Sequence, residues 1–238
     1  MKRDALLLSV CLGLVAGIVL LAIPRAVPAS GQAGGQKMPT LILDAGHGGE
    51  DGGAVSAGGA AESQINLELV LRLEPLLVLL GIQPQLTRRE DISLHETGCE
   101  TLREKKRSDL EARARQINET PNAMLLSIHQ NYFTDSRYSG AQVFYHQGDV
   151  SRQWGEATQR ALRQVLDPDN DRNAMLLNRE LYLFEHIGCP AILVECGFLS
   201  NGEEASLLAT DSYQKKIAVA LAGACLQELR LLNVSEVN

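Results

Sequence analysis

Residues 40–53 read Thr-Leu-Ile-Leu-Asp-Ala-Gly-His-Gly-Gly-Glu-Asp-Gly-Gly. The first five are a short apolar run ending on a carboxylate, the signature of a strand buried on both faces. Seven glycines then fall between positions 46 and 59, which marks a loop whose backbone enters conformations closed to side chains, or presses close to a neighbour. The same design recurs further on. Ala123–Ile128 is an apolar run followed by His129, Gln130 and Asn131, and Ala191–Val194 leads directly into Glu195. Helical patterns lie between these runs, so the chain reads as α/β: one three-layer domain with a mostly parallel twisted sheet flanked by helices. In such sheets the strand ends meet at one edge, where residues distant in sequence converge.

The intervening segments follow from periodicity. Glu62 opens a helix in which Leu69, Val70, Leu73, Leu76, Leu77 and Leu80 recur on one face before Gly81 stops it, and Pro75 should kink or split it. A strand is expected over Ile82–Thr87, then an exposed charged excursion from Arg88 to Arg107. Ser108 and Glu111 form a capping-box pattern for a helix to about Asn118. A strand over Ala141–Tyr145, a helix over about 152–166 and a closing helix from about Ser212 to Leu231 complete the pattern. Trp154, the sole tryptophan, lies in a helical pattern and reads as core rather than as a sugar-stacking ring.

With 22 basic and 29 acidic residues the chain carries −7, and its first 37 residues carry +3, so the body is more acidic than the whole. An acidic body repels a polyanion, which excludes a nucleic-acid partner held by phosphate neutralisation. Ala5–Ile23 is an uncharged, nearly all-apolar run behind Met-Lys-Arg-Asp, so 1–24 reads as a signal peptide or membrane anchor that leaves the body extracytoplasmic. Positions 25–38 read as a Pro/Ala/Ser/Gly/Gln linker, 39–232 as the folded domain and 233–238 as a tail. Cys11 falls in the apolar run. Cys189, Cys196 and Cys225 have apolar neighbours and read as small buried hydrophobes rather than disulfide partners.

His47, Glu62 and His129 offer two imidazoles and a carboxylate, the donor set of a catalytic zinc site that keeps one position open. Their separations of 15 and 67 residues match no local metal motif. On residues alone, His47 is equally a loop histidine bonded to backbone, and Glu62 a carboxylate favoured by a helix N-terminus.

The ordered set of DAGHGG at 44–49, the helix from Glu62, Thr87-Arg88, Asp109–Arg113, SIHQN at 127–131 and LVECGFLSN at 193–201 resembles the zinc-dependent N-acetylmuramoyl-L-alanine amidases of the Amidase_3 family, over about Thr40–Leu229. The resemblance implies one zinc ion per chain held at His47, Glu62 and His129, with Glu195 as the catalytic carboxylate. It implies peptidoglycan glycan strands with stem peptides as substrate, cut between the lactyl group of N-acetylmuramic acid and L-alanine. The compact layout behind a membrane segment looks most like the germination-specific amidases of the spore cortex, which implies muramic lactam formation on the cell-wall side of the membrane, in the forespore intermembrane space. Whether an activating protein partner takes part is left open. Asn131, Arg88 and Arg113 are candidate substrate-binding residues. Two other readings remain: a cysteine-dependent wall hydrolase using Cys196 or Cys99 with a histidine, and a membrane-tethered peptidoglycan-binding scaffold without turnover.

Overall fold

The computed structural model describes residues 38–178 and 180–235; the apolar run Ala5–Ile23, Cys11, and all of the linker but Met38 lie outside them. No helix among the described residues is long and apolar enough to cross a membrane. The elements are β1 (Thr40–Ala45), α1 (Glu62–Leu79), β2 (Gln85–Leu86), α2 (Leu102–Glu119), β3 (Ala123–Asn131), β4 (Gln142–Tyr145), α3 (Asp149–Leu166), β5 (Met175–Leu176), α4 (Tyr182–Glu185), β6 (Ala191–Phe198), α5 (Gly202–Leu208) and α6 (Asp211–Ser235). The six strands form one sheet in the order β2-β1-β3-β6-β4-β5. β2, β1, β3 and β6 run parallel, while β4 is antiparallel to β6 and carries β5 parallel to itself.

Strand alternation sorts the core into two layers. Leu41, Leu43, Leu126, Ile128, Ile192 and Val194 face one side, where Leu69 and Leu73 of α1, Trp154 of α3 and Leu221 of α6 cover them. Ile42, Leu125, Ala191 and Leu193 face the other, beneath Ala114 and Ile117 of α2 and Leu183 and Phe184 of α4. Helices therefore cover both faces, as the alternation of patterns implies. Trp154 is fully buried. The four described cysteines are free; Cys196 and Cys225 are buried, Cys99 and Cys189 half-buried.

Several local expectations change. α1 runs through Pro75 unbroken. The carbonyl that loses its partner belongs to Leu71, and Leu71 and Pro75 both lie on the exposed side, so the lost bond is not buried. α2 starts at Leu102, where Thr101 accepts from the Glu104 N–H and Glu104 caps Thr101 in return. Its first turns carry charge on every side, so apolar periodicity could not show them. Ser108, expected at the cap, sits inside the helix and accepts from the Glu96 N–H at 3.0 Å. β6 extends to Phe198, which puts Glu195 within the strand rather than after it. β2 is reduced to two residues, and α6 continues to Ser235.

One buried ion pair joins α2 to the sheet. Arg113 donates from Nη1 to Asp44 Oδ1 at 2.6 Å and to the Ala45 carbonyl at 2.8 Å. Its Nε reaches Asp109 Oδ2 at 2.7 Å and its Nη2 the His47 carbonyl at 2.7 Å. Asp44 also accepts from Ser127 at 2.7 Å and Thr87 at 2.8 Å. Burial works against the Asp44 charge, but Arg113 and the Ser127 hydroxyl outweigh it and hold the carboxyl at about 2.

Losing one side of a buried pair costs about 3–5 kcal/mol because the other charge is stranded. Arg113→Met should therefore lower the unfolding free energy by that order in urea titrations, and Asp44→Asn/Arg113→Met should regain part of it. The Asp44 pKa is lower folded than unfolded, so its contribution is complete above about pH 4. It is lost as pH falls through about 2. Stability measured across that window should drop in the wild type and drop less in Asp44→Asn.

Candidate metal centre

The site lies at the C-terminal edge of β1, β3 and β6. The loop after β1 places His47, the N-terminus of α1 places Glu62, and the end of β3 places His129. One donor atom from each of these three lies within 4.8 Å of the others. The Glu62 carboxylate sits between the imidazoles, with Oε1 at 2.9 Å from His129 Nδ1 and 3.4 Å from His47 Nε2. Glu195 stands beside them: its Cα pairs with that of His129 across the parallel β3–β6 ladder. It is buried and lines the same cleft.

Each group is held by neighbours that spacing alone did not reveal. Glu62 accepts from the Gln130 N–H at 3.1 Å and, through Oε2, from the Ala54 N–H at 2.9 Å. Asn66, one turn along α1, donates to the Gly46 carbonyl at 3.1 Å and accepts from Gln130 at 3.0 Å. His47 Nδ1 lies 2.8 Å from Asp51 Oδ2, and Lys106 of α2 reaches the same oxygen at 3.2 Å. Spacing gave no clue to that pair, since i,i+4 brings side chains together on a helix and residues 47–51 form a loop.

Arg88 and Arg113 both grip the loop backbone. Arg88 donates to the carbonyls of Ala45, Gly46, Ser63 and Glu90 at 2.7–3.2 Å, and its side chain has no exposure. Arg113 borders the cleft, yet its donors rest on Asp44, Asp109 and the carbonyls of Ala45 and His47. Asn131 lines the cleft and is half-buried. The cleft has a volume of about 350 Å³; α2 residues such as Lys106 and Leu110 form one wall, and Leu181–Phe184 close another.

The electrostatics suit a cation. Burial opposes charge on His47, but Asp51 and Glu62 overcome it and raise the imidazole to about 9. The Glu62 carboxyl, despite burial, is held well below the ordinary carboxylate range by the two histidines. Carboxylates that favour the positive form of the His47 imidazole favour a divalent ion by the same field, and two imidazoles with one carboxylate are donors that zinc accepts. Cys196 has no part in this. It points to the opposite face of the sheet, among Leu and Val side chains, and burial pushes its thiol far up. Cys99 does not border the cleft.

Comparison with known proteins identifies the family. The profile of the N-acetylmuramoyl-L-alanine amidases, Amidase_3, matches residues 41–227. The germination-specific N-acetylmuramoyl-L-alanine amidase of Bacillus subtilis is 34% identical over 199 residues, covering 83% of this chain and 80% of the relative. The CwlD amidase from Clostridioides difficile, solved in complex with the GerS lipoprotein, superposes with a TM-score of 0.77 at 37% identity, over 81% of this chain and 99% of the other. AmiC2 of Nostoc punctiforme, also an N-acetylmuramoyl-L-alanine amidase, gives 0.66 at 28% identity, over 82% and 99%. Over residues 41–227, from the strand that carries Asp44 into α6, this chain belongs to the N-acetylmuramoyl-L-alanine amidase family.

Proposed function

We propose that this amidase is zinc-dependent, with His47, Glu62 and His129 holding the ion and Glu195 moving the proton. The observation that carries the reading is the convergence of those three donors, from three separate elements, beside a buried glutamate on the adjoining strand. Zinc bound there would supply Lewis acidity, bringing the pKa of water down to roughly 7 and polarising the amide carbonyl. Glu195 takes the proton of the attacking water and returns it to the departing alanine nitrogen, since an unprotonated amine anion leaves poorly. Asn131 is the group we assign to the substrate amide. Arg88 and Arg113 are committed to the loop and fit positioning it better than binding substrate. Asp51 fixes the ring of His47 so that Nε2 is the nitrogen turned toward Glu62.

By likeness to the germination-specific relative, the bond cut is placed in spore-cortex peptidoglycan, on the extracytoplasmic side, with the N-terminal apolar run as tether or export signal. The lipoprotein seen with CwlD supports a protein partner on that side of the membrane for this chain too.

Three outcomes test the assignment. Glu195→Ala should lose turnover by at least about 10² to 10⁴ while zinc content persists, whereas His129→Ala should lose both; metal analysis beside release of free alanine amino termini from murein separates them. Near-normal turnover in Glu195→Ala would defeat the proton-transfer role. A chelator should abolish activity, which zinc restores, and thiol alkylation should leave it intact; sensitivity to alkylation alone would favour the cysteine reading. Asp51→Ala should weaken zinc binding by about 10- to 100-fold in competition titrations, with the fold retained by circular dichroism.

A further inference from the structure

We propose that the loop between β3 and β4 carries a glycan-binding subsite, with Phe133 and Tyr138 as its platform and Arg137 and Arg172 at its rim, taking the amino-sugar chain of the polymer beside the cleft. The inference rests on the peptidoglycan reading above. Aromatic residues make up only 4% of the chain, yet Tyr132, Phe133 and Tyr138 fall within seven positions and are 56%, 49% and 45% exposed. Exposed aromatic surface held together in one place marks contact with something else.

This exposure does not come from a loose segment. The Phe133 N–H donates to Ser200 Oγ at 3.1 Å, the Ser136 carbonyl accepts from Asn201 at 3.0 Å, and the Ser139 carbonyl accepts from Arg172 at 3.2 Å. The Gly140 N–H donates to the buried Glu204 carboxylate at 2.9 Å. The rings are likewise set: Phe133 and Tyr138 meet edge to face with centroids 4.9 Å apart, and the Arg172 guanidinium lies 5.9 Å from Tyr138 and 5.0 Å from Phe198. Polar bonds to the β6–α5 connection thus hold apolar rings in solvent, an arrangement the core does not require.

Position and chemistry select the occupant. The loop begins directly after Asn131, and Tyr132 lines the cleft, so a ligand crossing the platform continues into the site. A cleft of about 350 Å³ accommodates the bond to be cut and its neighbours, but a glycan strand extends well past it. Beside Tyr138 an open hollow of about 370 Å³ is lined by Asp135, Arg137, Ser139 and Arg172. A pyranose presents an apolar face of C–H groups, suited to a ring, and a margin of hydroxyls, suited to paired charges that both donate and accept. Arg137 is already bound to Asp135 at 2.7 Å, so the rim offers a hydroxylated chain a donor and an acceptor side by side rather than a bare cationic patch.

The test uses the full chain and peptide-free glycan strands, which carry no bond for the enzyme to cut. Wild type should bind them, and Tyr138→Ala or Phe133→Ser should bind roughly tenfold more weakly, while Tyr138→Phe keeps most of the affinity. On intact murein the two weakened variants should raise KM with little change in kcat, and on a short soluble muramoyl peptide they should match wild type. Failure of wild type to bind, equal binding by all variants, or equal losses on both substrates would overturn the subsite. So would variants that keep the glycan but lose a protein partner, since the patch would then be a protein interface. If glycan binding behaves as expected and no amide is cut with zinc present, the amidase assignment fails and the subsite stands.

Discussion

The guanidinium of Arg113 is the constraint on which the site depends. It touches the end of β1 through Asp44 and the Ala45 carbonyl, its own helix through Asp109, and the loop of the proposed metal site through the His47 carbonyl. Buried pairs gain little net stability over apolar packing. What this one supplies is position: α2 cannot shift against the sheet without moving the peptide that carries His47. Arg88 repeats the hold from the other side, on the carbonyls of Ala45, Gly46 and Ser63. The loop is therefore fixed by two cations on its backbone, which leaves its side chains free for chemistry.

The sheet completes the alignment. β1, β3 and β6 are adjacent and parallel, so their C-terminal ends lie at one edge, and the register that pairs His129 with Glu195 sets the proposed proton carrier one strand from a proposed metal donor. The pleat of β6 also separates the two chemistries of neighbouring residues. Glu195 faces the cleft and Cys196 faces the core on the far side, where burial suppresses its thiol. One step in sequence thus moves from a group suited to proton transfer to one that is inert.

Much of this was legible beforehand because polar residues end apolar runs: Asp44, His129 and Glu195 each break a sequence with no other reason to carry charge or a ring nitrogen. The parallel α/β class followed from those runs, and the core role of Trp154 from its helical setting. The proposed metal donors were not legible from spacing, since separations of 15 and 67 residues define no geometry; only the ordered resemblance joined them. Arg88 and Arg113 could be seen as cations but not as braces, because their acceptors are backbone carbonyls, which look alike in every sequence. The first turns of α2 escaped notice for a related reason: their work is done by Lys105 and Lys106 on Glu50 and Asp51, and a helix held by charge shows no apolar stripe.

The glycine-rich loop shows why the proposed ligands and the fold cannot be varied separately. A Cβ on Gly46 would lie 2.2 Å from the His129 ring, and one on Gly53, which has φ +67°, would lie 2.5 Å from Glu62 Oε2. These two positions are glycine because the donors themselves occupy the space. His47 takes a left-handed backbone at φ 62°, a conformation that costs a side-chain-bearing residue about 1–3 kcal/mol. The Arg113 bond to its carbonyl and the Asp51 bond to its ring hold it there. Strain at a proposed metal donor, offset by a buried arginine one helix away, means that a substitution relaxing the loop would stabilise the chain and loosen the site together.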